Sequence, residues 1–156
     1  MGTMTKISII VGSSSDLAVV EEAKAYLNYF GISNEIKVLS AHRQHDELMQ
    51  YVRSAETNGV LVFIACAGMA AHLPGIVSAL TSRPVIGVPL NASSLNGLDA
   101  LLSIVQMPKG IPVATMSIGP AGVVNAVIFA VKILALSDPI LREKLDAFHK
   151  NGSKLK

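Results

Sequence analysis

Tryptophan is absent from the 156 residues, and aromatic side chains make up only 4% of them. The flat stacking surfaces that help hold a flavin are therefore scarce. The basic stripe with interleaved aromatics that marks a nucleic-acid binder is missing as well. The net charge of +2 gives no reason to invoke nucleic acid. The only basic cluster, Lys150, Lys154 and Lys156, reads as a solvated, frayed end. A single cysteine, Cys66, excludes an internal disulfide and fits a reducing, cytoplasmic setting.

Charge is also scarce. Charged residues are 15% of the chain against about 25% in ordinary soluble domains. Between Thr57 and Val131 the only charged side chains are Arg83, Asp99 and Lys109. A domain this small cannot enclose so much apolar chain by itself. Part of its surface is expected to be covered by further copies of the protein.

No membrane partner is expected. Residues 110–131 carry no charge, but Gly110, Pro112, Gly119, Pro120 and Gly122 divide them into a strand, a turn and a helix. A span needs about 20 mostly apolar residues in one helical piece. Residues 1–6 are polar and residues 7–11 too short for a signal-peptide core. Gly2 opens no myristoylation motif, because Lys6 stands where Ser or Thr is required.

What is present is an alternation of strand and helix. Strands are predicted over 7–11, 35–39, 60–65, 84–88 and 112–116. Helices are predicted over 16–30, 46–55, 74–80, 98–105, 122–136 and 139–148. In the first helix Leu17, Val20, Ala23, Leu27 and Phe30 share one face, Ser15 or Asp16 can cap it, and Gly31 ends it. In the second, Leu48, Val52 and Ala55 point inward, and Asn58-Gly59 stops it. This order predicts an α/β fold: a doubly wound, parallel five-stranded sheet in a three-layer αβα sandwich. No linker, repeat or low-complexity run is visible, so one domain is expected over 1–156, with a core at about 6–136 and a C-terminal helix and tail at 137–156.

Right-handed crossovers place the loops after the strands on one edge of such a sheet, where ligands bind. Three polar loops fall there. Gly12-Ser13-Ser14-Ser15-Asp16 follows the first strand. Its serine hydroxyls and the free N–H groups of a helix start can hold phosphate, whereas Asp16 suits ribose hydroxyls; the other reading is an ordinary capped helix. Neither glycine pattern of the common nucleotide loops is present. Ser40-Ala41-His42-Arg43 follows the second strand. It offers an imidazole for proton transfer beside a planar fork for phosphate or carboxylate. His45 completes a His-x-x-His spacing, but no third ligand lies nearby, so no metal is expected.

The third loop, residues 67–75, is small-sided, and Gly68 lets a ligand approach its backbone. His72 begins a helix with Pro74 in its first turn and reads as a capping or packing residue as readily as a functional one. A Cys66–His72 nucleophile pair is the weaker reading, because Cys66 lies in an apolar strand. No Gly-x-Ser-x-Gly elbow exists. The acidic residues a receiver module needs are replaced by Val11-Gly12 and Cys66.

Taken together with Ala70-Ala71-His72-Leu73-Pro74-Gly75, Gly87-Val88-Pro89, Asn96-Gly97-Leu98-Asp99, Ser103-Ile104-Val105-Gln106-Met107-Pro108 and Gly110-Ile111-Pro112-Val113, these loops form an ordered motif set. It resembles the 5-(carboxyamino)imidazole ribonucleotide mutases, the PurE family (class I), from about Lys6 to Leu136. The resemblance implies a flavodoxin-like fold, a homo-octamer, a ribonucleotide substrate and no cofactor. It implies that His42 is the acid/base residue and that Ser13, Asp16 and Arg43 bind the nucleotide. Ser15 and Ser40 become phosphate neighbours, and Gly68 to His72 cover the base. The implied reaction moves a carboxylate from an exocyclic nitrogen to ring carbon 4 in purine synthesis. A carboxylase using free carbon dioxide is the alternative, and a nonenzymatic nucleotide-binding module a more distant one. Cys66 and Met69 stand where the family usually has glycine, and Asn91-Ala92 and Pro120 also depart from its usual residues.

Overall fold

The structure is a computed structural model that describes residues 6–155. Gly2, most of the polar segment 1–6 and Lys156 of the basic tail lie outside the described residues. Strands β1 (Ile7–Val11), β2 (Asn34–Val38), β3 (Val62–Gly68), β4 (Val85–Leu90) and β5 (Ala114–Thr115) form one parallel sheet in the order β2-β1-β3-β4-β5. That is the flavodoxin-like doubly wound order, whose ligand crevice lies beyond the C-terminal ends of β1 and β3.

Helices α1 (Leu17–Phe30), α5 (Pro120–Leu134) and α6 (Pro139–Lys150) bury their apolar faces with Ile9, Val11, Ile64, Cys66 and Val88 on one side of the sheet. Helices α2 (His45–Thr57), α3 (Leu73–Leu80) and α4 (Leu98–Val105) do so with Ile10, Phe63, Ala65 and Ala67 on the other. Successive strand residues alternate between the two cores, as the pleat requires. β1, β4 and all of β3 except Gly68 are fully buried. This explains why they read as continuous apolar runs. The one polar exception, Ser8, donates to the Tyr51 hydroxyl at 2.5 Å, which donates to Glu35 Oε1 at 2.8 Å. Burial and the Glu35 carboxylate both hold that hydroxyl in its protonated form by pushing its pKa up.

Several predicted boundaries move for identifiable reasons. β3 begins at Val62, because the Val60 N–H closes the turn out of α2 on Ala55 O. It then runs on to Gly68, because Ala67 and Gly68 pair with Pro89 and Leu90 of β4. β5 keeps only two residues of the predicted five, since Pro112 has no N–H to donate to an edge ladder. α5 starts at Pro120 instead of Gly122; proline fits a first turn, where no N–H partner is needed. On its outer side Phe129 is 39% exposed and Val124 and Ile128 are half-buried.

Candidate functional site

Ser13 has extended backbone (φ −147°) and accepts from the Ser15 N–H at 3.4 Å and the Ser15 hydroxyl at 2.9 Å. Asp16 holds the N-cap position of α1, but the side-chain cap bond belongs to Ser13. It nucleates a short 3₁₀ turn, Ser14–Asp16, ahead of α1. The Asp16 carboxylate makes no capping bond and stays half-buried. Burial raises its pKa from the usual 3.8, against the smaller opposing effect of hydrogen bonds from the Ser13 backbone and the Ser15 side chain. Gly12 follows β1 at the start of this loop. Its φ is not positive, and a side chain there would meet nothing within 4 Å. The missing side chain leaves the wall open to a ligand.

The second loop is a compact turn. Gln44 N–H donates to Ser40 O at 2.9 Å, Arg43 N–H to Ser40 Oγ at 3.2 Å, and Ser40 N–H to Gln44 Oε1 at 3.2 Å. His42 and Arg43 are exposed just ahead of α2. The Arg43 guanidinium forms no ion pair among the described residues. The third loop shrinks to Met69–His72. Gly68 is required by packing: a Cβ would sit 2.5 Å from Ala92 Cβ. Met69 takes a left-handed conformation (φ 55°) and is 59% exposed. His72 precedes α3 as its N-cap and makes no side-chain cap bond. Its Nδ1 lies 2.7 Å from His42 Nε2, with the rings edge to face.

All eight residues singled out from the sequence line one cleft of about 460 Å³: Ser13, Ser15, Asp16, Ser40, His42, Arg43, Gly68 and His72. That volume suits a small molecule. A second hollow of about 290 Å³ adjoins it through Ser15, Asp16 and Ala92, and ends at Asn91, Gly119 and Pro120. Ala92 lines both and was read from sequence only as a family departure. Its place after β4, on the same sheet edge as the three loops, was the available signal. His45 begins α2 and lies outside the cleft, so the His-x-x-His spacing does not converge. No group of three metal-ligating side chains occurs among the described residues. Cys66 is fully buried, and burial, helped by the charge of Asp16, pushes its thiol up to about 12. It is packing, as the blander reading held. Chemically, the cleft offers an imidazole, a planar cation with no ion pair among the described residues, hydroxyls and an apolar back wall.

The pattern of the AIR carboxylase family matches residues 6–154. The N5-carboxyaminoimidazole ribonucleotide mutase of Pyrococcus abyssi is 52% identical over 148 residues, covering 95% of this chain and 84% of that protein. The protein of that name from Haemophilus influenzae is 46% identical, covering 99% of this chain and 94% of its own length. Among solved structures, Treponema denticola PurE superposes with a TM-score of 0.85 at 26% identity, over 94% of this chain and 90% of that one. The chain belongs to the AIR carboxylase family.

Proposed function

We propose that this chain is an N5-carboxyaminoimidazole ribonucleotide mutase, an isomerase of purine synthesis. The observation that carries the reading is one cleft holding His42 beside Arg43 and the Ser13–Asp16 turn, in a chain about half identical to proteins named for that reaction.

The chemistry follows from those residues. The ribonucleotide phosphate is held by the Arg43 fork and by the hydroxyls of Ser13, Ser15 and Ser40. Asp16 takes the ribose hydroxyls, and Gly68 to His72 cover the base. The bond from the exocyclic nitrogen to the carboxylate breaks, releasing carbon dioxide. His42 gives a proton to that nitrogen. Ring carbon 4 then attacks the carbon dioxide, and His42 recovers the proton that carbon 4 sheds. The proton count closes, so no net acid, base or oxidant is consumed. One group acting in both directions suits an imidazole. The uncharged wall around Ala67, Ala70 and Leu73 keeps the gas from water.

The protein acts in the cytoplasm as a homo-octamer. Leu98, Leu102 and Val105 form an outward stripe on α4, each about half exposed, with Leu95 beside them at 60%. Such a patch calls for a covering surface, and a second copy supplies it.

The test is to supply labelled carbamate substrate in a pool of unlabelled bicarbonate. The label is expected to stay in the ring-carboxylated product, and His42→Asn to reduce turnover at least ~100-fold while nucleotide still binds. Full washout of label, with efficient use of free carbon dioxide, would make the protein a carboxylase. Wild-type turnover in His42→Asn would remove His42 from the mechanism.

A further inference from the structure

His42 and His72 come from different loops, yet their rings meet at Nε2···Nδ1, 2.7 Å. At that distance the two nitrogens share a single proton. Two N–H groups would collide, and two lone pairs would repel. The contact therefore fixes the tautomer of both rings. Its polarity follows from where His72 stands. It is the N-cap of α3, whose first free backbone donors are the N–H groups of Leu73 and Gly75, Pro74 between them having none. Its carbonyl already accepts from Ile76 N–H at 3.0 Å. A helix N-terminus favours a lone pair, not an added proton, on the nitrogen beside it. The bridging hydrogen thus belongs to His42 Nε2, and His72 Nδ1 accepts it. His42 Nδ1 has no partner among the described residues, and the ring lines the cleft.

We infer that His72 is a positioning residue that commits Nε2 of His42 to a fixed hydrogen bond and leaves Nδ1 as the atom that gives and takes the substrate proton. The inference rests on the proposed acid/base role of His42. It adds the working atom and the reason for it. When the imidazolium releases its Nδ1 proton to the exocyclic nitrogen, the Nε2–H bond stays in place. The neutral ring then has its lone pair on Nδ1, the atom that must next accept the proton from ring carbon 4. Without His72 the neutral ring is free to take the other tautomer, which presents an N–H where a base is needed.

Nitrogen-15 NMR of histidine-labelled protein without substrate tests this directly, with the His42 signals assigned by their loss in His42→Asn. In the wild type, Nδ1 of neutral His42 is expected in the pyridine-type range and Nε2 in the pyrrole-type range. His72→Asn offers Oδ1 where Nδ1 stood and should keep that pattern. His72→Leu should give averaged tautomers and a kcat reduced about 5- to 10-fold, the worth of one neutral hydrogen bond, with KM changed less than about threefold. His72→Asn should recover most of that kcat. A pyrrole-type Nδ1 in the wild type would overturn the inference. So would unchanged tautomers in His72→Leu, a defect confined to KM, or an Asn variant as impaired as the Leu variant. The NMR pattern needs no turnover. If it holds while label transfer fails, the mutase reading falls and the tautomer lock stands; the converse rejects the lock alone.

Discussion

Gly68→Ala is the substitution whose effect is best defined by the geometry. An alanine Cβ at this position would lie 2.5 Å from Ala92 Cβ and 3.4 Å from Leu90 O. Ordinary contact begins at 3.4 Å, so the end of β3 and the Ala92 loop must separate by about 0.9 Å, the difference between 3.4 and 2.5. Neither side yields easily. Gly68 is paired in register with Leu90, and the carbonyl of Leu90 accepts from Ala92 N–H at 3.1 Å. Overpacking of this kind costs about 1–3 kcal/mol. In a chain of this size each kcal/mol lowers the melting temperature by roughly 2–4 °C. Both flanks of the contact line the cleft, and a misplacement near 1 Å can cost ~100-fold in rate. The assay is a double-mutant cycle of Gly68→Ala, Ala92→Gly and the pair, read by urea denaturation at fixed protein concentration and by kcat/KM. The pair should recover most of both losses, giving a coupling above about 1 kcal/mol. Additive effects would show that the contact does not position the cleft wall. A fully stable Gly68→Ala would show that the close approach is not enforced.

Arg43→Lys keeps the charge but loses the bidentate fork, and should weaken nucleotide binding by about 1–3 kcal/mol in calorimetry. Equal wild-type affinity for nucleotide and dephosphorylated nucleoside would refute the phosphate assignment. Leu102→Glu places a charge in the exposed α4 stripe and should lower the sedimenting mass of an assembly that is otherwise stable at micromolar concentration; a monomeric wild type would refute the interface. For Asp16 the folded pKa is raised above the unfolded 3.8, so the folded state binds more protons between those two values. Stability therefore falls as pH rises through that window and stays lower above it. Asp16→Asn should be the more stable protein at neutral pH, with the gap closing as pH falls below 3.8, measured by denaturation across pH; a less stable Asn variant at neutral pH would refute the desolvation argument.

The fold was legible because β1, β3 and β4 are buried on both faces and so appear as unbroken apolar runs. His42 and Arg43 were legible for the opposite reason: they are a polar loop directly after a strand. Three things were not legible. The side-chain cap bond at Ser13 could not be told from one at Ser15 or Asp16, since Ser and Asp cap equally well. The outward face of α4 could not be told from its inward face. Ala100 and Ile104 pack on the sheet while Leu98, Leu102 and Val105 do not, and no charge marks the difference. The third is the His42–His72 contact. The two histidines stand thirty positions apart in sequence, on loops that follow different strands, so no local property of either one announces the contact.

The features that cost stability gather at the rim of the cleft. Asp16 is a carboxylate whose burial opposes its own ionisation. Met69 holds a left-handed backbone with φ 55°, worth about 1–3 kcal/mol of strain for a residue with a side chain, and leaves an apolar side chain 59% exposed. Among the described residues the other non-glycine positions with positive φ, Asn96 and Ser153, are small and polar, and both lie outside the cleft. Asn96 tolerates that conformation through its short side chain, a tolerance Met69 lacks. Random imperfection would not place a penalised carboxylate, a strained methionine and two histidine rings around one cavity at the ends of β1 and β3. Packing alone would have put glycine at position 69 and asparagine at 16. The proposed ribonucleotide site needs the side chains that are present, and the doubly buried strands beneath supply the rigidity that keeps them in place.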